Sequence, residues 1–279
     1  MKSNGMRLIL YQLRLQKGYL RVWLGYMTGA VLIMNEAMAY VRYAKDMGQA
    51  IQILEPFMVA VNNPNTVVFV VIGWLLVISS VPYLDAASMH AVYRTDHKRW
   101  NRAVCMTIII QAFLYYAVLL FATVVISIPY GYWGNCWSYP LVSLSSGTMA
   151  VDVMFADRQL VNTETLYCVF GHSFFLMFLY AVLIGVFTYA ASLAFSRRIA
   201  CVMGVLFHFL GFEIMKEGMG MIITCSALAH SIAVLQLGDN AMESISQTYL
   251  YFCISIWFLI QLCGKFIRWF DLPAIGKEE

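Results

Sequence analysis

Apolar residues in this chain come in long unbroken runs rather than in alternation with polar ones. Five runs approach or exceed the ~20 residues that a helix needs to cross a hydrocarbon layer about 30 Å thick. They cover residues 20–39, 67–84, 103–128, 166–195 and 249–266. A transmembrane barrel would instead show ~10-residue segments of alternating polarity. A sixth run, 199–212, is 14 residues long, about 21 Å as a helix. It spans only if the helix continues through Glu213, Lys216 and Glu217, giving a fifth span over 199–217. A further apolar stretch, 221–237, follows the break Gly218-Met219-Gly220.

The pattern ahead of the first run is different. Over residues 6–21, Arg7, Arg14 and Arg21 recur every seven positions with Lys17 on the same side, while Leu8, Ile9, Leu13, Leu15, Tyr19 and Leu20 spread over the rest. A basic stripe against a broad apolar face predicts a helix lying in the headgroup layer. The first run also carries Ala37-Met38-Ala39, which fits a signal-peptidase site, but the run is too long for the apolar region of a signal peptide. It is therefore expected to be retained as a span.

Lys and Arg mark cytoplasmic loops. With six spans and both termini inside, fourteen of the 18 basic residues fall in inner segments, leaving Arg42, Lys45, Arg158 and Lys216 outside. Counting 221–237 as a full span would move the C-terminal basic group outside. Residues 218–238 are therefore expected to form an outer re-entrant or interfacial segment, since non-helical backbone at membrane depth must be buried against protein or water. The fold class that follows is an all-α polytopic membrane protein: a single transmembrane domain over 1–279 with six transmembrane helices, an interfacial N-terminal helix, a re-entrant helical hairpin between spans five and six, and both termini cytoplasmic.

Composition agrees. Of the 279 residues, 61% are hydrophobic and 12% charged, about half the charge that a water-facing domain carries. An ordinary cytosolic enzyme, a disordered chain and a secreted disulfide scaffold are excluded. The net charge of +3 gives no case for a nucleic-acid partner. The seven cysteines include no C-x-x-C pair, and most sit inside apolar runs as small hydrophobes.

The chain lacks a G-x-x-x-x-G-K-[ST] phosphate loop and an H-E-x-x-H zinc motif, so no nucleotide, metal or other cofactor is expected in this chain. Cys168 and His172 stand four apart on one helical face. They make a candidate thiolate and base for an intramembrane peptide-processing enzyme, the alternative function; the plainer reading is a core cysteine beside a hydrogen-bonded histidine. Among ionisable residues in apolar runs, Glu36 is close enough to the outer end of its run to snorkel. Glu213, Lys216 and Glu217 either line an exit mouth or form a solvated helix end. Gln111 suits an interhelical hydrogen bond, and Gly25 and Gly29 form a G-x-x-x-G pair for close packing, including across a dimer. The aromatic group Tyr130, Tyr132, Trp133, Trp137 and Tyr139 suits an interfacial belt.

The most informative segment is 85–102. Asp85 can cap a short helix after Pro82. There follows Arg94-Thr95-Asp96-His97-Lys98-Arg99-Trp100-Asn101-Arg102, rich in cations and placed beneath the membrane. An aspartate ending the second span, a short helix and Arg-Thr-x-x-Lys/Arg-x-Trp leading into a long third span resemble the permease subunits of type-2 ABC exporters, the small Gram-positive kind in particular. The resemblance covers the whole chain as architecture, and residues 85–100 as motif. It implies an exporter of an amphipathic or hydrophobic substrate, with peptides of the phenol-soluble-modulin type as one match, in the plasma membrane of a Gram-positive bacterium. It implies two copies of a separate ABC ATPase subunit that bind ATP and Mg, and a second permease chain, a homodimer being favoured. It also implies that this inner loop carries the coupling helix, with Asp85, His90, Tyr93, Arg94, Lys98, Arg99 and Trp100 as the coupling residues.

Overall fold

The computed structural model describes residues 4–82, 97–147, 158–217, 220–237 and 241–267. These are almost wholly helical. In chain order they form α1 (Asn4–Gln16), α2 (Leu20–Asp46), β1 (Ile51–Gln52), α3 (Glu55–Asn62), α4 (Pro64–Ile78), α5 (His97–Ser127), β2 (Gly131–Tyr132), α6 (Tyr139–Ser145), α7 (Arg158–Thr163), α8 (Leu166–Ala194), α9 (Arg197–Lys216), α10 (Ala227–Ser231) and α11 (Ile245–Phe266). Short 3₁₀ turns cover Ile128–Tyr130, Gly220–Cys225 and Ala233–Leu235.

Four helices, α5, α8, α9 and α11, are long and apolar enough to cross a membrane, and the bent pair α3–α4 makes a fifth candidate. Each of the six apolar runs lies mainly within one of the long helices α2, α4, α5, α8, α9 and α11. The expected ends shift. α2 continues past residue 39 to Asp46, carrying Arg42 and Lys45, because nothing between them breaks the helix. Helix α4 stops at Ile78, with Ser79 Oγ and N both turned onto the Leu76 carbonyl.

Helix α8 is the hub. Buried on nearly all sides, it packs against α3, α4, α5, α9, α10 and α11. Trp74 of α4 donates its Nε1–H to the Ala181 carbonyl of α8 at 2.8 Å, and a Cβ on Gly185 would meet Ile108 of α5 at 2.6 Å. Side-chain pairs fix the directions. Asn62 meets Ser173 while Trp74 meets Ala181, so α4 and α8 run the same way. His172 meets Tyr249 while Cys263 meets Val186, so α11 joins them. Tyr180 meets His208 while Gly204 faces Thr188, so α9 runs the other way.

The outer surfaces are apolar. Ile199, Val202, Leu206 and Leu210 of α9, and Leu250, Ile254, Trp257 and Phe258 of α11, are all exposed. In water such a surface would be a large aggregation liability; in a bilayer it is the ordinary lipid face. The seven cysteines are all free.

The G-x-x-x-G pair of α2 corrects one expectation. Gly25 and Gly29 do not face outward for a dimer; both are buried inside the chain. A Cβ on Gly25 would come within 2.5 Å of the Gly73 carbonyl, and one on Gly29 would run into the Tyr115 hydroxyl. The motif works through close backbone approach, and the approach is between α2 and α4, with Tyr115 of α5 inserted beside them.

Helix α1 also differs from a purely interfacial helix. It ends at Gln16, with a turn through Lys17 and Gly18, so Arg21 belongs to α2. Its face carrying Gln12 and Gln16 is buried against α5, and Gln111 donates its side-chain amide to Gln16 Oε1. Gln111 thus makes the interhelical bond that its position in an apolar run suggested, with a partner on α1.

Candidate functional site

The bundle has two chemically distinct ends. At one, the α2–α3 and α5–α6 connections fold into a cap. β1 and β2 pair in parallel, Ile51 with Gly131 and Gln52 with Tyr132. Helix α3, at 90° to α4 across Asn63 and Pro64, is too short to span and is buried along its whole length. It starts as a helix should, with Glu55 in the first turn and Pro56 at the next position.

Glu55 is the centre of the cap and is fully buried. Its Oε1 accepts from the Ser138 backbone N–H at 2.7 Å. Its Oε2 accepts from the Tyr40 hydroxyl at 2.8 Å, the Ser138 hydroxyl at 2.5 Å and the Gln52 backbone N–H at 3.1 Å. Burial pushes this carboxyl above the ordinary carboxylate range, and the hydrogen bonds from Ser138, Tyr40 and Gln52 pull the other way. A carboxylate so surrounded is a structural clasp joining α2, α3 and the segment before α6. Burial likewise raises the neighbouring Tyr132 phenol, with the Cys136 thiol contributing.

The aromatic group divides. Tyr130, Trp133 and Tyr139 are exposed, as belt residues would be. Trp137 instead packs into the cap and donates to the Glu164 carbonyl at 2.9 Å. Glu36 is partly buried and accepts from Asn63 Nδ2 at 2.8 Å, while Asn63 Oδ1 caps α4 through the Asn65 N–H at 3.0 Å. The carboxylate thereby positions a helix cap rather than simply reaching for solvent. Glu213, Lys216 and Glu217 are exposed at the last turn of α9.

Residues 220–237 fold against the bundle on this same side. Ala227–Ser231 is buried. Ser226 donates to the Gly211 carbonyl at 3.0 Å, the Val234 N–H reaches Asn62 Oδ1 at 3.1 Å, and Thr248 donates to Gln236 Oε1 at 3.1 Å. Bonds of this kind let a segment sit away from water.

The opposite end carries most of the cations: Arg7, Arg14, Lys17, Arg21, Lys98, Arg99, Arg102, Arg197, Arg198 and Lys265. Of the seven expected coupling residues, Asp85, His90, Tyr93 and Arg94 lie outside the described residues. The other three occupy the first turn of α5 and are separated by helix geometry. Lys98 stands four before Arg102, so the pair shares one face, and both line a cleft toward α11. Arg99 is exposed, 100° around the helix. Trp100 is corrected as a coupling contact: at 2% exposed it belongs to the main core, so it has no surface to offer a partner.

In the alternative catalytic pair, His172 Nδ1 is engaged by the Tyr249 hydroxyl at 2.9 Å. The histidines are separately engaged. His208 Nε2 lies 3.1 Å from the Val68 carbonyl and Nδ1 lies 2.7 Å from the Tyr180 hydroxyl. A carbonyl only accepts, so Nε2 carries the proton and Tyr180 donates to Nδ1. Tyr180→Phe is expected to lower stability by about 1–3 kcal/mol by stranding a buried acceptor. Thermal unfolding in detergent checks this, and an unchanged midpoint would remove the bond from the account. Among the described residues no group of three or more His, Cys, Asp or Glu is placed to hold a metal ion.

No family model, curated protein or solved structure matches this chain.

Proposed function

We propose that this chain is the permease subunit of an ATP-driven exporter, with six spans, both termini cytoplasmic and residues 218–238 as a re-entrant segment on the outer side. It works with two copies of a separate ATPase, which bind ATP and Mg, and with a second permease chain in the plasma membrane. The substrate class is an amphipathic or hydrophobic molecule, a peptide in the first instance.

One observation supports this most. The segment that resembles a coupling element leads directly into α5, whose first turn buries Trp100 in the core while leaving Arg99 exposed. An external subunit needs an exposed contact on a rigid root, because force on a loose loop would not reach the bundle. Through α5, displacement at residues 97–100 reaches α1, α2 and α8. Arg99, with its bidentate fork, is better suited than Lys98 to pair with an acidic group. The engagement of His172 by Tyr249 supports this reading over peptide processing.

The test is co-purification with the partner ATPase and substrate-stimulated ATP turnover. Arg94→Ala and Arg99→Ala are expected to weaken association about ten-fold or more if the pairs are desolvated, with the chain still inserted. Asp85→Ala is expected to lose about 1 kcal/mol of capping and loosen the loop helix. Normal complex yield and coupling in all three would reduce this loop to an orienting basic flank.

A further inference from the structure

We propose that the cleft between the first turns of α5 and the last turns of α11 binds the phosphate headgroup of an anionic phospholipid. The cleft is about 400 Å³ and is lined by Lys98, Asn101, Arg102, Gln261, Gly264 and Lys265. Its rim therefore carries three cations from two helices that are far apart in the chain. A phosphodiester carries one negative charge and two unesterified oxygens, which suits paired guanidinium and ammonium donors.

The wall of the cleft gives a second, independent observation. Asn101 is 5% exposed, yet it lines the cleft. Its Oδ1 takes only the weak thiol contact from Cys105 at 3.9 Å. Its Nδ2 lies 3.7 Å from where a Cβ on Gly264 would stand. A buried amide group aimed into a basic cleft, with no protein acceptor among the described residues, is a donor placed for a ligand oxygen. The small residue opposite it keeps the space open.

The surroundings separate a lipid from free phosphate. Ile260 also lines the cleft, and above it α11 exposes Phe258, Trp257 and Ile254. A headgroup seated on Asn101, Arg102 and Lys265 would lead its acyl chains along this apolar strip, and free phosphate would leave the strip unused. Burying acyl carbons adds affinity in proportion to apolar area. Arg99 is not part of the cleft lining, so the two basic sites are distinct.

The experiment uses the full chain purified in a neutral detergent, with phosphatidylglycerol retention read by native mass spectrometry and by lipid-dependent shift of the unfolding midpoint. Phosphatidylcholine, inorganic phosphate and glycerol phosphate are the comparison ligands. Phosphatidylglycerol is expected to be retained and to raise the midpoint, with the other three giving little. Arg102→Gln with Lys265→Gln should cut retention at least ten-fold, whereas Arg99→Gln, which removes an equivalent charge outside the cleft, should leave it unchanged. Gly264→Leu keeps every cation and fills the space; its Cβ meets only ordinary contacts, so the helix is expected to form and lipid to be expelled. Equal loss in Arg99→Gln, full retention in Gly264→Leu, or equal stabilisation by inorganic phosphate would each overturn the proposal. Retention of a protein partner's acidic peptide in place of lipid would do the same.

Discussion

Gly25→Val is expected to be the most disruptive single substitution in the bundle. The Cβ alone would stand 2.5 Å from the Gly73 carbonyl and 2.9 Å from the Val77 backbone nitrogen. Neither is the movable end of a side chain, so α2 and α4 must separate along their contact. Overpacking in a filled core costs about 1–3 kcal/mol where neighbours can yield, and here the neighbours are backbone, so a larger loss is expected. Gly29→Ala meets a different obstacle, the Tyr115 hydroxyl. That hydroxyl donates to the Val70 carbonyl at 2.7 Å, so displacing it also takes a buried donor off its acceptor. The double variant Gly29→Ala with Tyr115→Phe should recover part of the loss, and no change at Tyr115 should rescue Gly25→Val. Folded yield by size exclusion and the thermal midpoint read the difference. A stable Gly25→Val chain that merely loses self-association would restore these glycines to a dimer face.

Glu55→Ala is expected to have the next largest effect. It leaves the N–H groups of Gln52 and Ser138 and the Tyr40 hydroxyl without their acceptor, all within a buried cap. Each stranded buried group costs about 1–3 kcal/mol. Glu55→Gln is the sharper test. Whichever way its amide is turned, the NH₂ faces either the Ser138 N–H or the Gln52 N–H, and an amide nitrogen cannot accept from either. This holds whether the wild-type carboxyl is ionised or protonated, since both forms keep acceptor lone pairs on both oxygens. Glu55→Gln should therefore also destabilise, by less than Glu55→Ala, with faster proteolysis between residues 131 and 139. Wild-type stability in Glu55→Gln would mean the cap is held by its apolar contacts alone.

The long helices were legible because apolar runs of near-spanning length have few other uses. Gln111 was legible as a hydrogen-bonding group for the same reason: an amide in an apolar run must find a partner. The cap was not. Helix α3 presents a short apolar segment between two prolines, too brief to register as an element. Glu55 finds its partners 15 and 83 residues away, at Tyr40 and Ser138, so no local spacing announces the clasp. Gly25 and Gly29 show a different limit. The motif specifies close approach, and sequence cannot say whether the approaching helix belongs to the same chain. Trp100 shows a third, since a tryptophan beside a run of cations suits an interface as well as a core. The cleft at Asn101 combines residues from α5 and α11, which pattern alone does not bring together.

The proposed function puts the first turn of α5 against a separate ATPase. A photo-crosslinking amino acid placed at position 99, in the chain expressed in its native membranes, tests this most directly. Irradiation is expected to join position 99 to an ATP-binding polypeptide, with the same probe at Tyr130, at the cap end, giving no such adduct. An absence of any ATP-binding adduct from position 99, or an equal yield from Tyr130, would contradict it.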